Sequence, residues 1–134
     1  MKLKTTGVKV IMDDTKGFVI RLESTRKYVD IVRALPDAAI GIITFKERNN
    51  IPSPTKSAEL NLNDLIKTLI PPDALKEIYV RAQDKERYTA EVMVGDKTMF
   101  MMPSVAVYLA TVTGCPLFFD SEIGEEDKSY AMIV

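Results

Sequence analysis

Polar and apolar residues alternate along the first part of the chain, which indicates β-strands. The alternation runs from Lys4 to Ile11, with Val8 and Val10 on one side, and a period of two is typical of a half-buried strand. Two further strands are predicted at residues 18–22 and 27–32, because turn-forming residues precede each of them. Together the three segments predict an antiparallel meander.

The pattern then changes from a period of two to the period of a helix. Pro36 fits the first turn of a helix, where its missing N–H would have no partner. Ala39, Ile42 and Ile43 follow at the spacing i, i+3 and i+4, which places them on one helix face. We predict that this helix ends near residues 48–50.

A proline-rich stretch separates this helix from the next predicted element. Residues 51–57 contain two prolines and two serines, a composition that predicts an irregular linker. A second helix is expected to begin at Asn61 or Asn63, since asparagine is a good N-cap residue, and to end before Pro71-Pro72.

The second half of the chain repeats the arrangement of the first half. Three strands are predicted again, Pro103 opens another helix, and Gly114 ends it. The match between the halves is one of pattern and not of residue identity. The strands predicted here are residues 78–82, 88–94 and 97–101, followed by a short strand at 115–119.

This repetition predicts an α+β fold. We expect two strand-strand-strand-helix units, pseudo-duplicated around a pseudo-twofold axis, forming mixed or antiparallel sheets with helices packed on them. The chain is short enough for a single domain of residues 1–134, with an acidic tail at about residues 120–134. Paired units of this kind also favour a homo-oligomer.

Composition excludes several classes of chemistry. The chain has 134 residues, no histidine and one cysteine. Without imidazole, Ser-His-Asp and Cys-His catalysis and histidine-ligated zinc are excluded. Cys115 has no second cysteine to pair with, and its apolar neighbours predict a buried thiol in a reducing cytosol.

The apolar runs are too short to cross a membrane. Residues 38–43 and 105–110 are the longest of them, whereas a spanning helix needs about 20 apolar residues. Residues 1–6 lead into an alternating pattern and not into an apolar signal core. We therefore expect a soluble, cytoplasmic protein with no membrane partner.

The net charge of −1 hides an uneven distribution of charge. Residues 1–56 carry 11 basic and 6 acidic side chains, whereas residues 57–134 carry 7 basic and 13 acidic ones. A basic N-terminal half is suited to contact the phosphates of DNA or RNA. The alternative is that the two halves neutralise each other within the fold or across a subunit contact.

Three segments resemble one known protein family. They are Met102-Pro103-Ser104-Val105-Ala106, Thr113-Gly114-Cys115-Pro116-Leu117-Phe118 and Asn63-Asp64-Leu65-Ile66. Members of the bifunctional nuclease domain family typically show arginine-proline-serine-aspartate-alanine, threonine-glycine-alanine-proline-isoleucine-phenylalanine and histidine-aspartate-leucine-leucine in these places. The resemblance covers about residues 4–122. It implies an intracellular α+β domain with DNase and RNase activity.

The chain departs from the family pattern at charged positions. Met102 stands in place of the motif arginine, Val105 in place of the motif aspartate, and Asn63 in place of the histidine. These changes favour a second hypothesis, in which the domain kept the fold, lost the charged site and serves in binding or oligomeric assembly.

If the chain is a nuclease, its chemistry must come from carboxylates and basic side chains. Asp30, Asp37 and Asp64 are the acidic residues closest to the family-like segments, and Arg33 lies between the first two. Such groups could act with Mg²⁺ or Mn²⁺, or as an arginine with a carboxylate base. The structural alternative is that Asp37 favours the helix dipole and Asp30 faces solvent.

The first meander also carries a candidate nucleic-acid-binding surface. Arg21, Arg26 and Lys27 could contact phosphates while Tyr28 stacks on a base. The alternative is an ordinary exposed strand face. The six glycines are isolated from one another, so no glycine-rich phosphate loop is expected.

Overall fold

Two β-sheets, each with an α-helix packed on it, form the architecture. The computed structural model describes residues 1–47, 65–66, 68–71 and 73–126. Residues 65–66 and 68–69 are helical and residue 70 is a bend, while residues 61–64 and 67 of the predicted second helix and the predicted linker at 51–57 lie outside the described residues. The elements are β1 (Lys2–Lys4), β2 (Gly7–Asp13), β3 (Gly17–Glu23), β4 (Lys27–Ile31), α1 (Pro36–Lys46), β5 (Leu75–Ala82), β6 (Tyr88–Val94), β7 (Lys97–Met101), α2 (Pro103–Thr113), β8 (Leu117–Asp120), a 3-10 turn (Ser121–Ile123) and β9 (Glu125–Glu126).

Each sheet is built mainly from one half of the sequence, with one short strand from the other half. Strands β2, β3, β4 and β9 form an antiparallel four-stranded sheet in that order. Strands β1, β8, β5, β6 and β7 form, in that order, a five-stranded mixed sheet, in which β5 and β8 are parallel. The α+β class and the repeated strand-strand-strand-helix unit are therefore confirmed.

The strand predicted at residues 4–11 is in fact two strands in different sheets. The amide of Thr5 donates to the carbonyl of Leu117 in the five-stranded sheet, while the amide of Thr6 donates to Glu23 in the four-stranded sheet. The chain thus crosses between sheets at these two residues. The prediction was wrong here because the alternation of side chains continues through the crossing and does not reveal which neighbour each strand pairs with.

The helices pack against each other as well as on the sheets. Both begin in the same way, with Leu35 at φ −57°, ψ 122° and Met102 at φ −59°, ψ 136° before a proline. The hydroxyl of Ser104 accepts a hydrogen bond from the amide of Leu35 at 3.3 Å, so the two helix starts lie side by side. Helix α1 ends at Lys46, before the predicted boundary.

One hydrophobic core joins the two sheets and the two helices. Its fully buried members include Ile20 and Leu22 from β3, Ile42 from α1, and Val107 from α2. Phe119 of β8 is the largest fully buried side chain. Because both units contribute to this core, the sheets are held in a fixed relation and a cleft remains between their ends. No helix in the described part of the chain is both long and apolar enough to cross a membrane.

Candidate functional site

A cleft of about 950 Å³ lies between the two sheets. One wall comes from β3, β4 and the turn that leads to α1, and the other comes from the β5–β6 turn and the end of β7. The start of α2 and the segment after β8 also contribute. The residues that line it include Lys16, Arg21, Tyr28, Asp30, Arg33, Lys85, Arg87, Tyr88, Phe100, Ser104, Ile123 and Glu125.

Arg21 and Asp30 form an ion pair in this cleft. They are directly opposite on the antiparallel strands β3 and β4, where facing side chains are close enough to touch. The Arg21 Nε and Nη2 atoms donate to the two carboxylate oxygens of Asp30 at 2.7 and 2.9 Å. This pairing raises the pKa of Arg21. Both oxygens of Asp30 are thereby engaged by protein.

Tyr28 sits beside this pair and is held from two directions. The Arg21 guanidinium lies over its ring, 4.2 Å from the ring centroid, an arrangement favoured by the electron-rich ring face. The Tyr28 hydroxyl donates to Glu125 Oε2 at 2.8 Å. That hydrogen bond raises the pKa of Tyr28.

Arg33 reaches the cleft through a left-handed backbone. Its φ is 49°, which makes it the only described non-glycine residue with a positive φ. Its amide donates to the carbonyl of Lys16 at 2.9 Å, and the amide of Ala34 donates to Phe18 at 2.9 Å. These two bonds offset the conformational cost and fix the turn. Residues in such sparsely populated backbone regions cluster at functional sites.

The opposite wall adds cations that sequence reasoning missed. Lys85 and Arg87 come from the β5–β6 turn, in the half of the chain that is acidic overall. The turn is fixed by Asp84, whose Oδ1 accepts the amides of Glu86 and Arg87 at 2.9 Å. These bonds, the one from Glu86 first, lower the pKa of Asp84. The strands predicted at residues 78–82 and 88–94 imply a turn here, but no local pattern indicates that it would face β4.

Several cations in the cleft form no hydrogen bond or ion pair within the part of the chain that the structure describes. The side chains of Lys16, Arg33 and Lys85 form no hydrogen bond or ion pair with any residue that the structure describes. Arg87 is paired with Asp84 at 3.1 Å. Since the cleft is also next to the start of α2, whose dipole is positive at that end, its electrostatics favour an anionic ligand.

The structure brings together only some of the residues predicted from sequence. Arg21, Tyr28, Asp30 and Arg33 all line the cleft. Asp37 is exposed in the first turn of α1 and is not among the lining residues, and Asp64 lies outside the described residues. Two predicted nucleic-acid contacts also lie elsewhere: Arg26 is exposed, and Lys27 donates its Nζ to the carbonyl of Ser121 at 3.1 Å.

Metal binding stays a prediction. Within the described ranges, no group of three or more histidine, cysteine, aspartate or glutamate side chains is arranged to hold a metal ion. Mg²⁺ or Mn²⁺ therefore has no assigned ligands here.

Cys115 lies away from the cleft. It is buried, with 9% of its surface exposed, and burial raises the pKa of its thiol. This confirms the predicted buried thiol and is the opposite of what a nucleophilic cysteine requires.

Comparison with known proteins adds no family assignment: no family model matches the chain, and no curated protein matches it. Membership of the bifunctional nuclease domain family therefore stays a prediction from the motifs. The functional argument rests on the geometry of the cleft.

Proposed function

We propose that this protein binds single-stranded nucleic acid in the cleft between its two sheets. The observation that carries the proposal is the presence on both walls of cations that form no ion pair with any described residue, Lys16 and Arg33 on one and Lys85 on the other. Arginine and lysine side chains that neutralise phosphates supply most of the sequence-independent affinity for nucleic acids.

Aromatic side chains in the same cleft favour a single strand over a duplex. Tyr28, Tyr88 and Phe100 line it, and Phe100 is 60% exposed. Unpaired bases stack on such rings with a gain of about 1–3 kcal/mol per base, whereas the bases of a duplex already stack on each other. A cavity of about 950 Å³ is the size of a site for a small ligand. We therefore expect a short stretch of strand to be bound.

Replacing Arg33 tests this function. Binding of fluorescent oligothymidylate and oligouridylate is measured by anisotropy at several salt concentrations. We expect Arg33→Ala to weaken binding about tenfold, which corresponds to about 1.4 kcal/mol, and to reduce the salt slope by about 0.7 for one lost phosphate contact.

Arg26→Ala is the matched control for this experiment. Arg26 carries the same charge and belongs to the same meander, but it does not line the cleft. We expect it to change binding by less than about twofold, since exposed charges outside the contact act only through a screened field. Equal losses in the two variants, or no binding by the unaltered protein, would refute the assignment of the cleft.

Cleavage of phosphodiester bonds is a second candidate function. Apart from the motif resemblance, it is supported by the left-handed backbone of Arg33, which places a cation in the same cleft as Asp30. An arginine can stabilise charge on the phosphoryl oxygens, and a carboxylate can serve as base or metal ligand. Asp30 would have to exchange at least one bond from Arg21 for this role.

The same oligonucleotides test cleavage, with Mg²⁺, Mn²⁺ or a chelator present. If the cleft is catalytic, Arg33→Ala and Asp30→Asn lower the rate by about 100-fold or more, as the loss of one charge-stabilising group does in known enzymes. Asp37→Asn is the control, because Asp37 lies outside the cleft. Cleavage that persists in the Arg33 and Asp30 variants would rule out this site.

Homo-oligomer formation and a cytoplasmic location stay predictions. The edge strand β7 supports the first, since Met99 and Phe100 are 52% and 60% exposed there. An edge strand with apolar side chains can pair with a strand of another chain.

A further inference from the structure

The segment after β8 crosses from one sheet to the other and borders the cleft. We call residues 120–126 the acidic strap. Strand β8 ends at Asp120 in the five-stranded sheet, a 3-10 turn follows, and β9 pairs with β4 in the four-stranded sheet. Ile123 and Glu125 of the strap both line the cleft. The strap therefore spans the cleft beside the proposed binding surface.

Glu125 accepts the hydrogen bond that the Tyr28 hydroxyl would otherwise donate to a ligand. Its carboxylate accepts the hydrogen bond of the Tyr28 hydroxyl at 2.8 Å. A tyrosine hydroxyl has a single hydrogen to donate, so Tyr28 can serve Glu125 or a phosphate oxygen but not both. Carboxylate and phosphate are also both anions, and they repel each other at short range.

The strap is attached firmly at its start and lightly at its end. Lys27 donates to the carbonyl of Ser121 at 3.1 Å, and Gly124 packs so closely that a Cβ there would lie 3.1 Å from the ring of Phe119. Strand β9, by contrast, pairs two residues with β4 within the described range that ends at residue 126, and both glutamates are exposed. Elements with few buried contacts open locally at low free-energy cost.

We propose that the acidic strap is an internal competitor for the cleft, in which Glu125 occupies the Tyr28 side until a single-stranded nucleic acid displaces β9. This inference rests on the proposed binding function. Because only molecules with an open strap bind, the apparent affinity is the intrinsic affinity multiplied by the open fraction. A nucleic-acid strand displaces β9 only if the free energy of its phosphate contacts and base stacking offsets the loss of the strap contacts.

A reversible covalent lock provides the direct test. Lys27 and Glu126 are directly opposite in the register of β4 and β9, where Cα atoms of antiparallel strands are about 4.5–5.5 Å apart, a distance that a disulfide spans. The double variant Lys27→Cys with Glu126→Cys is assayed oxidised and reduced. Both forms lack Lys27, so the comparison isolates the lock. We expect the oxidised form to bind oligothymidylate about tenfold more weakly than the reduced form, which corresponds to a binding-competent fraction about a tenth as large. Equal affinity of the two forms would overturn the proposal.

A pair of single variants separates the position of Glu125 from the general negative charge of the strap. Glu125→Gln and Glu122→Gln each remove one negative charge from the strap, but the side chain of Glu122 does not line the cleft. We expect Glu125→Gln to raise affinity several-fold more than Glu122→Gln does. Equal gains would mean a general field effect and would overturn the role of Glu125.

The two proposals fail in different ways. If the unaltered protein binds oligonucleotides and the lock has no effect, the strap is not a competitor while the proposed function stands. If neither the unaltered protein nor the reduced and Glu125→Gln forms bind, the proposed function is wrong and the strap has nothing to regulate.

Discussion

At the scale of single residues, Arg33 depends on its neighbours for its place in the cleft. Its positive φ is unfavourable for a side chain with a Cβ, and the conformation persists because the Arg33 and Ala34 amides are bonded to the carbonyls of Lys16 and Phe18. These two hydrogen bonds offset the conformational free energy that the left-handed backbone of Arg33 costs. The result is an arginine that lines the same cleft as the Arg21–Asp30 pair and has no ion-pair partner among the described residues.

Ser104 is a residue whose role can be measured directly through stability. It is 2% exposed, and its hydroxyl accepts the hydrogen bond of the Leu35 amide. Ser104→Ala leaves that amide without this acceptor, so we expect the free energy of unfolding to fall by about 1–2 kcal/mol. Urea denaturation measures the change.

Thr111→Ala is the control for this prediction. The Thr111 hydroxyl bonds back to the carbonyl of Val107 within its own helix, and such a bond adds little to helix stability. We expect a smaller loss than for Ser104→Ala. Unchanged stability of the Ser104 variant would show that the link between the two helix starts is unimportant.

At the scale of elements, the two repeated units meet at one close helix contact. Gly41 of α1 and Tyr108 of α2 occupy equivalent positions, each the sixth residue of its helix. A Cβ at position 41 would lie 2.5 Å from Cε1 of Tyr108, well inside normal contact distance. Glycine therefore permits the approach that brings both helix starts together at the cleft.

Replacing this glycine separates packing from helix propensity. Alanine favours a helix over glycine by about 1 kcal/mol, so propensity alone predicts that Gly41→Ala is stabilising. We expect the opposite, a loss of about 1–3 kcal/mol from overpacking against Tyr108. Thermal and urea denaturation show whether the substitution raises or lowers the free energy of unfolding.

A double-mutant cycle with Tyr108→Leu provides the control. Because the shorter side chain removes the ring atoms nearest to Gly41, the loss in the double variant is expected to be smaller than the sum of the single losses. Strict additivity, or a more stable Gly41→Ala protein, would contradict the close contact.

The elements also show where sequence patterns are sufficient and where they fail. Prolines at 36 and 103 and the alternation in β3 to β7 were enough to predict both units, because local geometry determines them. Pairing partners were not predictable, so the break at Thr5 and Thr6 was missed. Strand β9 was missed as well, since two glutamates carry no apolar pattern and pair only because β4 offers an edge.

At the scale of the whole molecule, the cleft combines both halves of the chain. The sequence predicted phosphate contacts in the basic half, and Lys16, Arg21 and Arg33 do come from it. Lys85 and Arg87 come from the acidic half. Their contribution depends on how the second sheet packs beside the first, and this long-range relation has no local signal in the sequence.

The charge asymmetry has a second consequence for the assembled molecule. The acidic side chains after β8 are brought back to the four-stranded sheet, so Glu125 lies at the edge of a cleft with unpartnered cations. The ion pair between Lys2 and Glu77 likewise joins a basic side chain of the first half to an acidic one of the second, as one reading of the sequence predicted. In the proposed function, phosphate and Glu125 compete for the same cleft.

Chemical-shift mapping tests the central claim most directly. Backbone amide signals are followed while a short oligothymidylate is added at low salt. The account predicts that the largest shifts fall on the cleft walls, at residues 28–34, 83–89 and 100–104, and that they diminish as salt is raised. Shifts concentrated around Tyr79 and Phe118, neighbours on the face of the five-stranded sheet away from α2, or no shifts at all, would contradict it.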